Sequence, residues 1–305
     1  MEPNRRGVLA GGVGLATSLL GPGRARAQAG EVLRRVIPST GETVPVIGLG
    51  TAGRWMNAGT DADLAALRET LRVFHAGGGT VIDTSDDYGA AEEVVGRLAQ
   101  EAGLRDSLFL ATKVSTTGRG AGTRQTEESF RRLRTPRIDL NAVHNLEDTA
   151  TNLGILRELK RAGRIRYVGV TVWHEGQHEA LEAVMRREPL DFVQVDYALD
   201  NRRSGERILP LARERGMAVM INVPFGRGRL FARARDAPLP PWAGEFDCRS
   251  WAQFFLKYAV SHEAVTCAIP GMGRPEHVRD NLAAMRGRLP DPAMRRRMEG
   301  FVAGL

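Results

Sequence analysis

Three groups of residues in this 305-residue chain have types and spacings that could do chemistry. Gly48-Leu49-Gly50-Thr51-Ala52-Gly53 fits a G-x-G-x-x-G turn, whose backbone can cradle the phosphates of a dinucleotide. His174-Glu175-Gly176-Gln177-His178 is a literal H-E-x-x-H. On a helix that motif brings two imidazoles to one zinc ion, with the glutamate as base. The third group is dispersed: Asp83 and Tyr88 within Asp83-Thr84-Ser85-Asp86-Asp87-Tyr88-Gly89, then Lys113, then His144. Singly, each has an ordinary use, as a turn acid, a half-buried phenol, a salt-bridging amine or a satisfied imidazole. Together they are four titratable groups at the ends of three consecutive strand-like runs. In a barrel, those ends are where catalytic residues sit.

The elements that must hold these residues decide between the readings. A dinucleotide turn needs a helix to open at once, but 54–60 holds Asn, Gly and Thr and the helix signal starts only near Asp61. The glycines therefore read as a Gly-rich strand end. The zinc motif needs both histidines on one helix face. The run 167–173 reads as a strand, so His174 falls at a strand-to-helix turn, and Gly176 is a poor helix residue. No third ligand follows, and the expectation is no metal.

Strand-like runs cover 47–51, 80–84, 108–114, 140–144, 166–172, 192–197, 218–223 and 265–269. Most are nearly continuous apolar runs, as expected of parallel strands buried on both faces. Helical periodicity fills the gaps at 62–76, 91–102, 126–133, 153–162, 177–186, 206–215 and 251–260. The pattern predicts an α/β chain folded as a (β/α)8 TIM barrel. A small hairpin, 34–37 with 43–46, precedes it, and two extra helices, 275–284 and 292–301, close it. The stretch 226–248 holds three prolines and reads as a mouth loop, so 30–305 is expected to be one domain.

Residues 1–29 read as an address. Arg5-Arg6 precede an apolar run, 8–20, and Ala27-Gln28-Ala29 supplies an Ala-x-Ala cleavage site. The paired arginines resemble a twin-arginine export signal. The expectation is export to the periplasm by that machinery, with no stable membrane anchor after cleavage. An unused signal would leave the protein cytoplasmic. The net charge is +7, and without the four arginines and one glutamate of this segment it is +4. The remaining basic residues are spread out, so no nucleic-acid partner is expected. Cys248 and Cys267 read as two unpaired thiols.

From 37 to 281 the chain resembles the aldo-keto reductase family. The resemblance rests on the opening Gly41-Glu42-Thr43-Val44-Pro45-Val46-Ile47-Gly48-Leu49-Gly50-Thr51, on Ile82-Asp83-Thr84 with Tyr88-Gly89, and on Ala111-Thr112-Lys113. It continues through Val143-His144-Asn145, Tyr167-Val168-Gly169-Val170, Val193-Gln194 and Ile269-Pro270-Gly271. It implies carbonyl reduction by hydride from a nicotinamide cofactor, NADP with NAD possible, on a small aldehyde or ketone. Tyr88 would be the general acid, its pKa lowered by Lys113, with Asp83 orienting Lys113 and His144 donating to the carbonyl oxygen.

The same resemblance puts Gln194 at the nicotinamide carboxamide. Thr171 stands in for the usual Ser, Val172 for a common Asn, and Asn222 for an aromatic that often stacks on the ring. Phe225 and Arg227, with Arg229, would lie near the pyrophosphate. Arg274 and His277 stand near a 2′-phosphate, and Asp280 with Asn281 at the adenine. Apart from the resemblance, Trp55, Met56, Trp173 and Trp242 lie in loops and read equally as walls of an apolar pocket or as ordinary loop packing. The other reading is a catalytically silent barrel that binds a nucleotide or small ligand as a sensor or partner subunit.

Overall fold

The computed structural model describes residues 30–305, so the export-type segment lies outside the described residues. An antiparallel hairpin comes first, β1 (Arg34–Val36) with β2 (Thr43–Pro45). Then come β3 (Leu49–Gly50), α1 (Asp61–Ala76), β4 (Val81–Asp83), α2 (Ala91–Glu101), β5 (Phe109–Val114) and α3 (Arg119–Arg132). They are followed by β6 (Ile138–His144), α4 (Thr149–Arg161), β7 (Ile165–Thr171), α5 (His178–Arg187), β8 (Phe192–Asp196) and α6 (Ser204–Glu214). The chain ends with β9 (Ala218–Asn222), α7 (Arg229–Arg233), α8 (Trp251–Val260), β10 (Cys267–Ala268), α9 (Pro275–Ala283) and α10 (Pro292–Ala303).

Strands β3 to β10 are parallel and hydrogen-bond in chain order. The two ends of the sheet meet. Ile47 bridges Ala268 and Gly50 bridges Gly271, and Gly48 N donates to Ala268 O at 2.8 Å. The expected barrel is thus formed. Glycine is needed along this seam, because a Cβ on Gly50 would lie 2.7 Å from the Ile269 carbonyl oxygen. Trp55 reinforces it by donating Nε1–H to Met272 O at 2.7 Å.

Alternation along each strand sorts the side chains. One set, Leu110, Val143, Val170, Val193 and Ile221, faces the helices and packs on residues such as Leu98, Phe130, Leu156 and Leu181. The other set points into the barrel. Its lower part, Phe109, Leu140, Tyr167, Phe192 and Met220, forms an apolar floor together with Ile37 and Val44 of the hairpin. Phe109, Tyr167 and Phe192 lie within 5.4–6.0 Å of one another, ring to ring. The Tyr167 hydroxyl reaches Thr40 at 2.8 Å and donates to Glu42 at 2.5 Å, fixing the hairpin across the base.

The α3 helix starts at Arg119, earlier than the predicted 126, because its first turn is Gly-rich and carries no apolar period. The loop after β9 is not wholly irregular: it contains α7 and a 3-10 turn over Pro241–Phe246. Both helices after β10 are present, and α9 lies against α1, closing the helical ring. Among the described residues, no helix is long and apolar enough to cross a membrane.

Candidate active site

At the upper ends of the strands the inward positions change from apolar to polar. Counting by twos from Val81, Phe109, Phe192 and Ala218 brings Asp83, Lys113, Gln194 and Asn222 into the barrel. Lys113 is 2% exposed. Its Nζ lies 2.9 and 2.8 Å from the two oxygens of Asp83 and 2.7 Å from Thr84 O. Burial opposes its charge most, but Asp83, Tyr88 and Asp86 together hold the ammonium above its ordinary pKa.

Gln194 completes the inner network, donating Nε2–H to Asp83 at 2.9 Å. Its Oε1 accepts from Thr171 at 2.5 Å. Its amide is thus engaged by protein groups, including Met220 Sδ at 3.2 Å. The unsatisfied amide at this rim is on Asn222. Its Nδ2 donates to Val172 O at 2.8 Å, while its Oδ1 is buried without a partner.

Tyr88 comes from the turn after β4. Lys113 Nζ lies 5.2 Å from its ring centroid, and His144 lies edge-on at 6.3 Å between ring centroids. The Lys113 charge is the largest single influence on the phenol and favours its ionised form. Burial, Asp83 and Asp87 together push harder the other way, so the phenol is held above its ordinary value of 10. The expected lowering is therefore not found, because burial, with Asp83 and Asp87, outweighs Lys113. His144 is pushed below its ordinary 6.5, first by burial and then by Lys113, against the pull of Asp87 and Asp83.

Two residues that residue types alone did not single out join this group. Asp87 Oδ2 lies 3.1 Å from His144 Nδ1. Asp86 accepts from Ser115 at 3.3 Å and also from Gln125. Burial, then Asp87 and Glu92, push Asp86 up to about 6. The only available signal was an acidic pair in a turn, which also reads as ordinary turn chemistry.

The other expected contacts lie around the rim. Phe225 packs at a tilt against Phe231, with ring centroids 4.8 Å apart. Arg227 has φ +56 between Gly226 and Gly228, also left-handed, and its guanidinium covers the exposed Trp173 ring at 4.7 Å. Arg274 precedes α9 and lies 3.9 Å from Glu276, and His277 is exposed one turn on. Asp280 accepts from Gln253 at 2.7 Å, and Asn281 is buried.

The aromatic wall does not assemble. Trp55 is buried in the seam, and Trp242 packs among Phe246, Phe254 and Phe301, which leaves Trp173 at the mouth. The glycine motif is a strand end, with α1 opening at Asp61 as expected. His174 is extended and α5 opens at His178, whose Nε2 pairs with Asp196 at 2.8 Å. Among the described residues no cluster of three metal-binding side chains exists. Cys248 and Cys267 are both buried free thiols.

Comparison with known proteins adds four likenesses. Residues 46–299 match the model of the Aldo/keto reductase family. Aldo-keto reductase YhdN of Bacillus subtilis is 34% identical over 220 residues, 66% of this chain and 64% of that protein. Aldo-keto reductase str7 of Strobilurus tenacellus is 30% identical over 174 residues, 53% of this chain and 51% of that one. This chain thus spans somewhat under two thirds of the first and about half of the second. A solved aldo-keto reductase from Klebsiella pneumoniae in complex with NADPH is 27% identical, with a TM-score of 0.72. The match covers 89% of this chain and 96% of that one.

Proposed function

The chain belongs to the aldo/keto reductase family, and on that premise we propose that it reduces an aldehyde or ketone to the alcohol with a reduced nicotinamide dinucleotide, NADPH first. One observation carries the reading. A buried ammonium, Lys113, is held by both oxygens of Asp83 with a phenol and an imidazole beside it, all at the mouth end of one barrel.

The residues fit such a cofactor. Asn222 Oδ1 is a buried acceptor lacking a donor, as the carboxamide of a nicotinamide would supply. Gln194 and Thr171, bonded to each other, lie on the preceding strands β8 and β7. Arg227 and Arg274 offer cations and His277 a ring N–H for phosphate at the rim, and Asp280 with Asn281 lies beyond them on α9. When bound, the reduced nicotinamide supplies hydride to the carbonyl carbon. Tyr88, un-ionised near neutrality, gives its proton to the carbonyl oxygen as negative charge develops there. Lys113, fixed by Asp83, stabilises the phenolate left behind, and solvent then restores the proton. His144 contacts the substrate oxygen.

The test follows NADPH absorbance against a panel of aldehydes, comparing the wild type with Tyr88→Phe. We expect oxidation by the wild type and a loss of at least about a hundredfold in the variant, the scale of general acid catalysis. Tight NADPH binding with no turnover by either protein would overturn the enzyme reading.

For residues 1–29 the proposal is twin-arginine export of the folded domain, 30–305, to the periplasm. It is supported by Arg5-Arg6, the apolar run and the Ala-x-Ala site. Replacing both arginines with lysine should hold the protein in the cytoplasmic fraction. Wild-type protein confined to that fraction would sink the proposal.

A further inference from the structure

Asp87 places a carboxylate against Nδ1 of the imidazole proposed to meet the substrate through Nε2. Its Oδ2 lies 3.1 Å from His144 Nδ1, and Ser85 Oγ is 3.5 Å from the same nitrogen. A carboxylate can only accept, so Nδ1 must carry the hydrogen in this contact. A neutral imidazole has a single N–H, and which nitrogen bears it is set by the bond the other nitrogen makes. With the proton fixed on Nδ1, Nε2 of neutral His144 is a bare lone pair. A bare lone pair cannot donate to a carbonyl oxygen, although it can accept from an alcohol.

We propose that Asp87 selects the working form of His144, holding neutral His144 with its proton on Nδ1, so that His144 donates to a carbonyl oxygen only as the imidazolium. This rests on the carbonyl-reductase reading above. Asp87 is a positioning residue and touches no reacting atom. The two directions of the reaction then draw on different forms. Reduction needs the Nε2–H of the imidazolium, whose charge Asp87 offsets. Oxidation of the alcohol needs Nε2 free to accept from the hydroxyl, which the neutral form provides.

The surroundings make this consequential near neutrality. Lys113 faces His144 from β5, Asp83 from β4, and Asp87 and Tyr88 from the turn after β4. The neighbouring strand β7 offers only the uncharged Thr171. Burial and Lys113 outweigh the two carboxylates, so the neutral ring dominates at pH 7 and the imidazolium gains as pH falls. Aldehyde reduction should therefore rise toward acid and fall about tenfold per pH unit above the His144 titration.

Two measurements on the full-length protein test this. Nitrogen-15 NMR of histidine-labelled wild type, with His144 assigned by its loss in His144→Gln, reads the tautomer without any turnover. We expect protonated Nδ1 and bare Nε2 at pH 8, and loss of that pattern in Asp87→Ala. The kcat/KM for aldehyde reduction should be pH-dependent in the wild type and flat between pH 6 and 8 in Asp87→Ala, with Asp87→Glu restoring the slope. A wild-type ring protonated on Nε2 overturns the proposal, as do superimposable pH profiles. A correct tautomer in a protein that reduces no aldehyde at any pH would instead overturn the enzyme reading.

Discussion

Asp86 carries a pH signature that belongs to a single residue. Unfolded, its carboxyl titrates near 3.8. Folded, burial, Asp87 and Glu92 raise it to about 6. Between those values the folded chain binds more protons than the unfolded one, so stability falls as pH rises through that window. The penalty is complete above pH 6 and absent below about 4. Asparagine keeps the shape and resembles the protonated acid, so Asp86→Asn should stabilise the protein at pH 7.5 and leave it unchanged at pH 4. The gain should be about 1–2 kcal/mol, allowing for the partial exposure of the site. Urea midpoints at the two pH values decide, and an equal gain at both would refute the account. Asp83, Tyr88, Lys113 and His144 were legible as residues because their types are costly to place at buried strand ends without a use. Asp87 was not, because a turn accepts an aspartate for its own reasons. Only the fold turns that carboxylate onto an imidazole 57 residues away.

Between elements, glycine sets how closely helices approach. Gly96 lies in the middle of α2, where helix propensity alone would favour alanine by about 1 kcal/mol. Its place against α3 reverses that. A Cβ there would lie 2.2 Å from Arg132 O and 2.7 Å from the Leu133 backbone, neither of which can swing aside. Gly96→Ala should therefore cost about 1–3 kcal/mol by overpacking, read as a lowered urea midpoint with an unchanged slope. A stabilised variant would show that α2 and α3 can separate freely. This kind of contact explains where the sequence was readable. The middle strands, such as β5 and β6, are buried on both faces and stand out as apolar runs. The start of α3 does not, because Gly120 and Gly122 erase its period. A Cβ on Gly122 would lie 2.7 Å from Asn152 Oδ1 in the neighbouring α4, so what looks like a loop signal is a packing requirement. The pocket walls were misread for a related reason. Tryptophan's bulk suits a mouth and a core equally, and periodicity does not say that Trp55 turns into the seam.

In the whole molecule, the barrel divides into an apolar floor and a polar rim, and both depend on closure. The rim ion pair of Lys113 and Asp83 attracts more strongly where water is excluded, and it offsets its desolvation only because its donors are met. That exclusion needs all eight strands in place. The last join is made by the shortest strands, β3 and β10, with two residues each, and by Trp55 reaching Met272 across 217 residues. The sheet therefore has no shortcut to completion, because its edges are supplied by opposite ends of the chain. During synthesis β3 leaves the ribosome early and must wait for almost everything else to follow. Until β10 has joined β3 the nascent barrel is an open trough whose polar rim is wet, and the Lys113 ammonium is sealed from water only once that join is made.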